Sequence, residues 1–279
     1  MSGCPPEPDG AARARFARAL EAAACRRRGG GIGTLGEKPL HMALKCYCEP
    51  DTARHEVRVG RYVADAFDGE RITEIQTRNF AAIRPKLTAL LEHYPVTLVC
   101  PVVRRCTICR MDGATGEIVT RRLSPKIGSP ASAFGELIRI RPLLTHPRLR
   151  VRVILVDAVE MRPKAPAGER VKGDRVPSAL RADISVDTPA EYLRLLPAGL
   201  PAGFTTRDLA AAQPGLRLRG AQVALNVLRT VGAVELCGTR GRLRLYRLAG
   251  GLNVGPPDVG TRGDGAPDAG ISASAAVTG

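Results

Sequence analysis

The run Val96-Thr97-Leu98-Val99-Cys100, directly after Pro95, constrains this chain more than any other stretch. It is a continuous apolar run of the kind expected in a strand buried on both faces, so its sheet needs cover on each side. Before it, Phe80, Ile83, Leu87, Leu90 and Leu91 recur at helical spacing between Phe80 and Tyr94. Earlier still, His55 to Val59, Arg61 to Phe67 and Glu70 to Thr77 are β-rich and alternating, the last two joined by Asp68-Gly69, a strong hairpin signal. Thr34-Leu35-Gly36-Glu37 has the form of a capping box opening a helix that runs to Cys48, with Leu40, Ala43 and Leu44 on one face. The order is α-β-β-β-α-β. Downstream, Cys106 to Met111 and Glu117 to Leu123 flank Asp112-Gly113 as a second hairpin. A helix from Ser132 to Ile140 and a strand from Arg150 to Val156 complete an α/β block with a mixed sheet.

Composition divides the rest. Residues 1–31 carry little hydrophobic period and read as a disordered basic arm, and residues 250–279 are too poor in apolar side chains to offset the entropy of ordering them. Residues 163–188 are rich in Pro and charge and read as a linker. Two folded blocks remain, 32–162 and 189–249. No apolar run approaches the roughly 18 residues of a bilayer span, and the first 30 residues lack a signal-peptide core. A cytoplasmic protein without membrane association is therefore expected, its eight cysteines reduced. The charge of +15 favours a polyanionic partner, yet only six of the 42 basic residues are Lys, so a coding bias toward Arg explains part of it.

The first hairpin sets the chemistry. With Asp68-Gly69 as a two-residue loop, Phe67 opposes Glu70 and Asp65 opposes Ile72. Asp65, Glu74 and Gln76 then project from one face, the carboxylates as diagonal neighbours roughly 5.5–8 Å apart at Cβ. Two acids so placed repel unless a cation lies between them, and hard oxygen donors suit Mg²⁺ or Mn²⁺. The other reading is a pair of solvated acids on an exposed hairpin face; against it, Val63, Phe67 and Ile72 share that face.

Asp65 followed by Glu74-Ile75-Gln76, within the α-β-β-β-α-β order, resembles the restriction-endonuclease-like nucleases, the PD-(D/E)xK superfamily, over about residues 33–103. The GTLGE, HEVRVG, AD and EIQT series also resembles a group of uncharacterised bacterial proteins. The nuclease resemblance implies metal binding by Asp65 and Glu74, an additional acid at Glu37, and Gln76 in the lysine position. Gln orients water but supplies no charge. Lys86 and Lys38 are the candidates to replace it. Ala64 stands where a proline often precedes the first acid.

In the second block Thr205-Thr206-Arg207-Asp208 can cap a short helix to Ala212, Arg219 to Val231 forms another, and Ala233 to Cys237 pairs with Leu243 to Leu248 around a basic turn. This order resembles a small winged helix-turn-helix domain, which implies DNA contact by Arg217, Arg219, Gln222, Asn226 and Arg229 near the second helix and by Arg240, Arg242 and Arg244 on the wing. Such domains also bind proteins.

Cys106-Thr107-Ile108-Cys109 has zinc-ligand spacing, but the motif falls in a strand without the usual knuckle, and Cys46 and Cys48 do not face one another on a helix, so no zinc is expected. The expected function is Mg²⁺- or Mn²⁺-dependent hydrolysis of duplex or branched DNA, for which a homodimer would suit cutting both strands. The alternative is a non-catalytic DNA-binding regulator that keeps the nuclease scaffold.

Overall fold

The computed structural model describes residues 7–28, 38–112, 115–163 and 173–251. The apolar run Val96–Cys100 opens the central strand of a seven-stranded mixed sheet. Helix α1 (Gly10–Arg28) and helix α2 (Pro39–Cys48) precede β1 (His55–Val59), β2 (Tyr62–Phe67) and β3 (Ile72–Ile75). Helix α3 (Phe80–Leu91) crosses to β4 (Val96–Met111), followed by β5 (Ile118–Leu123), α4 (Phe134–Leu137) between two 3-10 turns, β6 (Leu149–Pro163) and β7 (Asp174–Val186). From α2 to β4 the elements follow the expected α-β-β-β-α-β order. The strands lie in the order β1-β2-β3-β4-β6-β7, with β5 also on β4. Strand β4 is parallel to β3 and β6; the other pairs are antiparallel.

Both faces of the sheet are covered, as a doubly buried strand requires. On one, Phe16, Met42, Leu44 and Tyr47 of α1 and α2 meet Ile75, Val99, Ile154 and Val156. On the other, Phe80 and Leu87 of α3 and Phe134 and Leu137 of α4 meet Ile72, Leu98, Val151 and Val153. Val99 and Leu98 face opposite clusters, the period-2 alternation of a strand.

Several expectations change. Residues 10–28 of the supposed arm form α1, begun by the Asp9 carboxylate accepting the Ala12 N–H at 2.7 Å. Its buried stripe is only Phe16, Ala19 and Ala23, so short that a sequence pattern barely registers it, and the small alanines let α1 approach α2 closely. The supposed linker 163–188 contains β7, paired with β6 from Val151↔Val186 to Met161↔Asp174. Its Pro and charges are tolerated because β7 is an edge strand, with Asp183 held by Arg152 and Arg181 by Asp157. The expected strands Val96 to Cys100 and Cys106 to Met111 are one 16-residue strand, and β6 likewise outruns its expected end at Val156. The expected helix Ser132 to Ile140 is mostly 3-10 turn around a four-residue α4. The capping box at 34–37 and the tail from 252 lie outside the described residues, and α2 begins at Pro39 with Lys38 at its cap.

After β7, a 3-10 turn (Pro189–Leu195) leads to α5 (Thr206–Ala212), α6 (Leu218–Thr230) and the hairpin of β8 (Val234–Arg240) and β9 (Leu243–Leu248). Thr205 and Asp208 form the expected capping box on α5. These elements do not stand apart. Phe204, Leu225 and Leu228 belong to the same hydrophobic cluster as α3, α4 and the sheet, and α6 packs on α4. Among the described residues, no helix is long and apolar enough to cross a membrane.

Candidate functional site

Asp68 decides the shape of the β2–β3 turn. Its Oδ1 accepts the N–H groups of Glu70 and Arg71 at 2.9 and 2.6 Å, so the loop holds four residues and Phe67 pairs with Ile72, not Glu70. The register therefore differs by two from the two-residue loop. A two-residue shift preserves which face each side chain takes, whereas a one-residue shift reverses it. Beyond Ala66↔Thr73 the strands part. Where Asp65 reaches the level of Glu74, its Oδ2, not a backbone carbonyl, accepts the Ile75 N–H at 2.7 Å.

Asp65 and Glu74 are thus brought together at a fork between two strands, and two basic side chains join them. His41 of α2 places Nε2 3.2 Å from Asp65 Oδ2. Lys86 of α3 donates from Nζ to Glu74 Oε2 at 2.5 Å and to the Val63 carbonyl at 2.6 Å. Glu74 is only 2% exposed, and its Oε1 is buried with no hydrogen-bond partner.

The two carboxyls diverge in acidity. Burial works against the Asp65 charge, but the His41 hydrogen bond and charge, the Ile75 N–H and the Lys86 ammonium together hold it below the ordinary carboxylate range. Burial, and then the charge of Asp65, push Glu74 up to about 7, with Lys86 opposing them. This is how one carboxylate behaves when two like charges share a low-dielectric site.

The lysine at the acid pair is Lys86 of α3, not a residue at position 76. Gln76 donates its amide N–H to the carbonyls of Arg78 and Asn79, at 2.6 and 3.3 Å, and so braces the turn into α3, where Asn79 has φ 56°. The amine beside the acids is that of Lys86, while Lys38 is an exposed cap residue of α2. Glu37 lies outside the described residues. His41 carried no signal in the sequence, because its partner is 24 residues away and on another element.

The fork can be tested for fit to Mg²⁺. Asp65 uses Oδ2 for both of its bonds, and Glu74 Oε1 has none, so each carboxylate presents one oxygen without a hydrogen-bond partner among the described residues. No group of three or more His, Cys, Asp or Glu arranged to hold a metal occurs among those residues. The protein's share of a metal shell would be these two carboxylates, which suits an ion that keeps several waters and takes substrate phosphate for the rest.

A family described as Domain of unknown function (DUF8091) matches residues 38–186. The chain belongs to the DUF8091 family. The match begins at the cap of α2 and ends with the last residue of β7, so it spans the sheet and includes His41, Asp65, Glu74 and Lys86. An uncharacterized protein of Treponema pallidum (strain Nichols) is 33% identical over 236 residues, covering 81% of this chain and 91% of its own. No solved structure matches.

The C-terminal candidates divide. Gln222, Asn226, Arg229, Arg242 and Arg244 line one cleft of about 350 Å³ between α6 and β9. Arg217 and Arg219 are exposed at the start of α6, and Arg219, Gln222, Asn226 and Arg229 follow one helical stripe opposite the buried Ala221, Ala224, Leu225 and Leu228. Two side chains have structural partners. Arg240 donates to Asp208 at 3.1 Å and to the Gly203 carbonyl at 2.9 Å, and Asn226 Oδ1 accepts from Arg141 at 2.7 Å, tying α6 to the turn after α4.

Proposed function

We propose that this protein is a Mg²⁺- or Mn²⁺-dependent nuclease acting on DNA, with a restriction-endonuclease-like core and a winged helix-turn-helix C-terminal block. The observation that carries the reading is Glu74: a carboxylate 2% exposed, beside a second carboxylate, with one oxygen lacking any hydrogen bond. Buried polar atoms without partners are rare, and an orphaned oxygen facing an ionised neighbour is satisfied by a cation. The α-β-β-β-α-β order from α2 to β4 supports the core assignment, and the cleft between α6 and β9 supports the C-terminal one.

Asp65 and Glu74 would hold the metal, whose chemistry would be to lower the pKa of a bound water and neutralise phosphate oxygen. Lys86 orients Glu74 and supplies the positive charge that Gln76 lacks, close to where charge develops on the phosphate. His41 and the Ile75 N–H fix the Asp65 carboxylate through Oδ2 and leave its other oxygen for a metal. Arg229, Arg242 and Arg244 hold the duplex at a distance from the reaction.

The Lys86–Glu74 ion pair favours a second reading, because it neutralises one carboxylate without a metal: a DNA-binding regulator that retains the scaffold. Incubation of the protein with linear, nicked and branched DNA in Mg²⁺ or Mn²⁺, beside Asp65→Ala, Glu74→Ala and Lys86→Met, separates the two. Hydrolysis abolished by all three substitutions is the expected result. Hydrolysis that survives Asp65→Ala and Glu74→Ala removes the site, and binding without cleavage by the wild type leaves the regulator.

A further inference from the structure

Strand β4 carries two partners on one edge. Strand β6 runs along its other edge from Val96↔Leu149 to Met111↔Pro163, so β3, which pairs with Val96 to Val99, and β5, which pairs with Thr107 to Met111, lie on the same side. The β5 edge therefore continues the line of the sheet beyond the fork. From Leu98, which pairs with Glu74, to Thr107 is nine residues, or roughly 30 Å of strand.

Every residue of β5 is exposed, and this end of the sheet is strongly basic. Between positions 104 and 126 stand Arg104, Arg105, Arg110, Arg121, Arg122 and Lys126, against two acids, Asp112 and Glu117. An Arg-rich chain makes exposed arginine common, so pairing is the informative quantity. Elsewhere in the same sheet Arg152, Arg162, Arg175 and Arg181 each sit on a carboxylate. The six side chains from 104 to 126 make no ion pair among the described residues. Arg121 is opposite Cys109 and Arg122 opposite Ile108, so the two present charge on opposite faces of the edge.

This surface runs into the C-terminal block. Gly215, in the turn between α5 and α6, has φ +82°, and a Cβ there would lie 2.5 Å from the Ile127 carbonyl oxygen. The turn is pressed against the residue after Lys126, and the exposed Arg217 and Arg219 follow it. A basic strip thus extends from β5 through Lys126 to the start of α6.

We infer that the β5 edge, with Arg110, Arg121, Arg122 and Lys126, is a docking surface for the phosphate backbone of duplex DNA, continuous with the N-terminus of α6. Charge complementarity selects this occupant. A second copy pairing edge to edge would set Arg121 and Arg122 against their own equivalents, and like charges across strands repel. The reach from fork to edge, roughly 30 Å, is close to one turn of duplex, so one helix can touch both. The inference rests on the DNA-binding half of the proposed function and is independent of hydrolysis.

The test is fluorescence anisotropy of the full chain with a labelled 30-base-pair duplex in EDTA, from 50 to 300 mM salt, comparing wild type with R121Q/R122Q and with R194Q. The last removes an arginine already paired with Glu191. Loss of two phosphate contacts lowers the slope of log K against log salt by about 1.8, and weakens binding roughly thirtyfold at 0.15 M salt, for an unchanged affinity at 1 M. R194Q retains wild-type binding. A folded R121Q/R122Q protein with unchanged affinity and slope overturns the inference, as does equal weakening by R194Q or a wild type that binds no duplex. Aggregation or altered oligomeric state of the double variant at unchanged DNA affinity also overturns it, since the arginines would then only guard a sheet edge. Cleavage assays on the same samples keep the outcomes apart: binding lost only in the double variant with no cleavage by wild type sinks the nuclease and spares the surface.

Discussion

Glu74→Gln should make the protein's stability less sensitive to a rise in pH from weakly acid to neutral, and the size of the effect follows from the fork. In the unfolded chain Glu74 ionises near its ordinary value of 4.5; in the folded chain burial and Asp65 push it up to about 7. Below 4.5 the carboxyl is protonated in both states and contributes nothing. Between 4.5 and about 7 the unfolded state gives up the proton and the folded state keeps it, so stability falls as pH rises. The full fall corresponds to about 3 kcal/mol and is complete by pH 8. Gln has the shape of Glu and no proton to lose, and Lys86 keeps its bond to the Val63 carbonyl. Urea unfolding of both proteins in EDTA at pH 5 and pH 8 reads the difference. The stability of Glu74→Gln relative to wild type should rise by about 2.5 kcal/mol between those pH values, since part of the fall is already complete at pH 5, whatever the fixed effect of the substitution. An identical difference at both pH values would refute the claim that burial and Asp65 disfavour the Glu74 charge. A variant that gains stability while losing hydrolysis is the pattern expected of a functional carboxylate.

Two further outcomes test the fold around the site. Gly215→Ala forces a Cβ into the Ile127 carbonyl at a positive φ, and should cost about 2 kcal/mol or more, lowering Tm by roughly 4–8 °C. Gly241→Ala, at φ +62° with nothing within 4 Å, should lose less; equal losses would show that strain and not the contact with Ile127 matters. Phe16→Ala removes a ring 2% exposed and packed edge-on against Tyr47 at 5.4 Å, and should cost about 3 kcal/mol in urea unfolding. A loss below about 1 kcal/mol would mean that α1 is not part of the cooperative core.

Short-range chemistry made much of this legible. The helical period of α3, the alternation of β1 to β3, the continuous apolar start of β4 and the Thr205–Asp208 cap are each written within a dozen residues, and the structure has them. The proximity of Asp65 and Glu74 was legible even though the loop length was not, because both stand on one hairpin and close to its turn, and the structure brings them together where β2 and β3 part. Helix α1 and strand β7 were not legible. The first buries too few large side chains, and the second hides its alternation under charges whose partners, Arg152 and Asp157, lie on β6.

By itself the sequence determined which residues could form each element and which carboxylates would come close on one hairpin, since these depend on neighbours a few positions away. Only the tertiary structure decided what surrounds those carboxylates. Lys86 and His41 reach Glu74 and Asp65 because α3 and α2 pack on opposite faces of the sheet, and Gln76 turns to brace the chain entering α3. The same packing leaves Glu74 Oε1 buried without a partner, a consequence of close approach between elements that no spacing along the chain encodes.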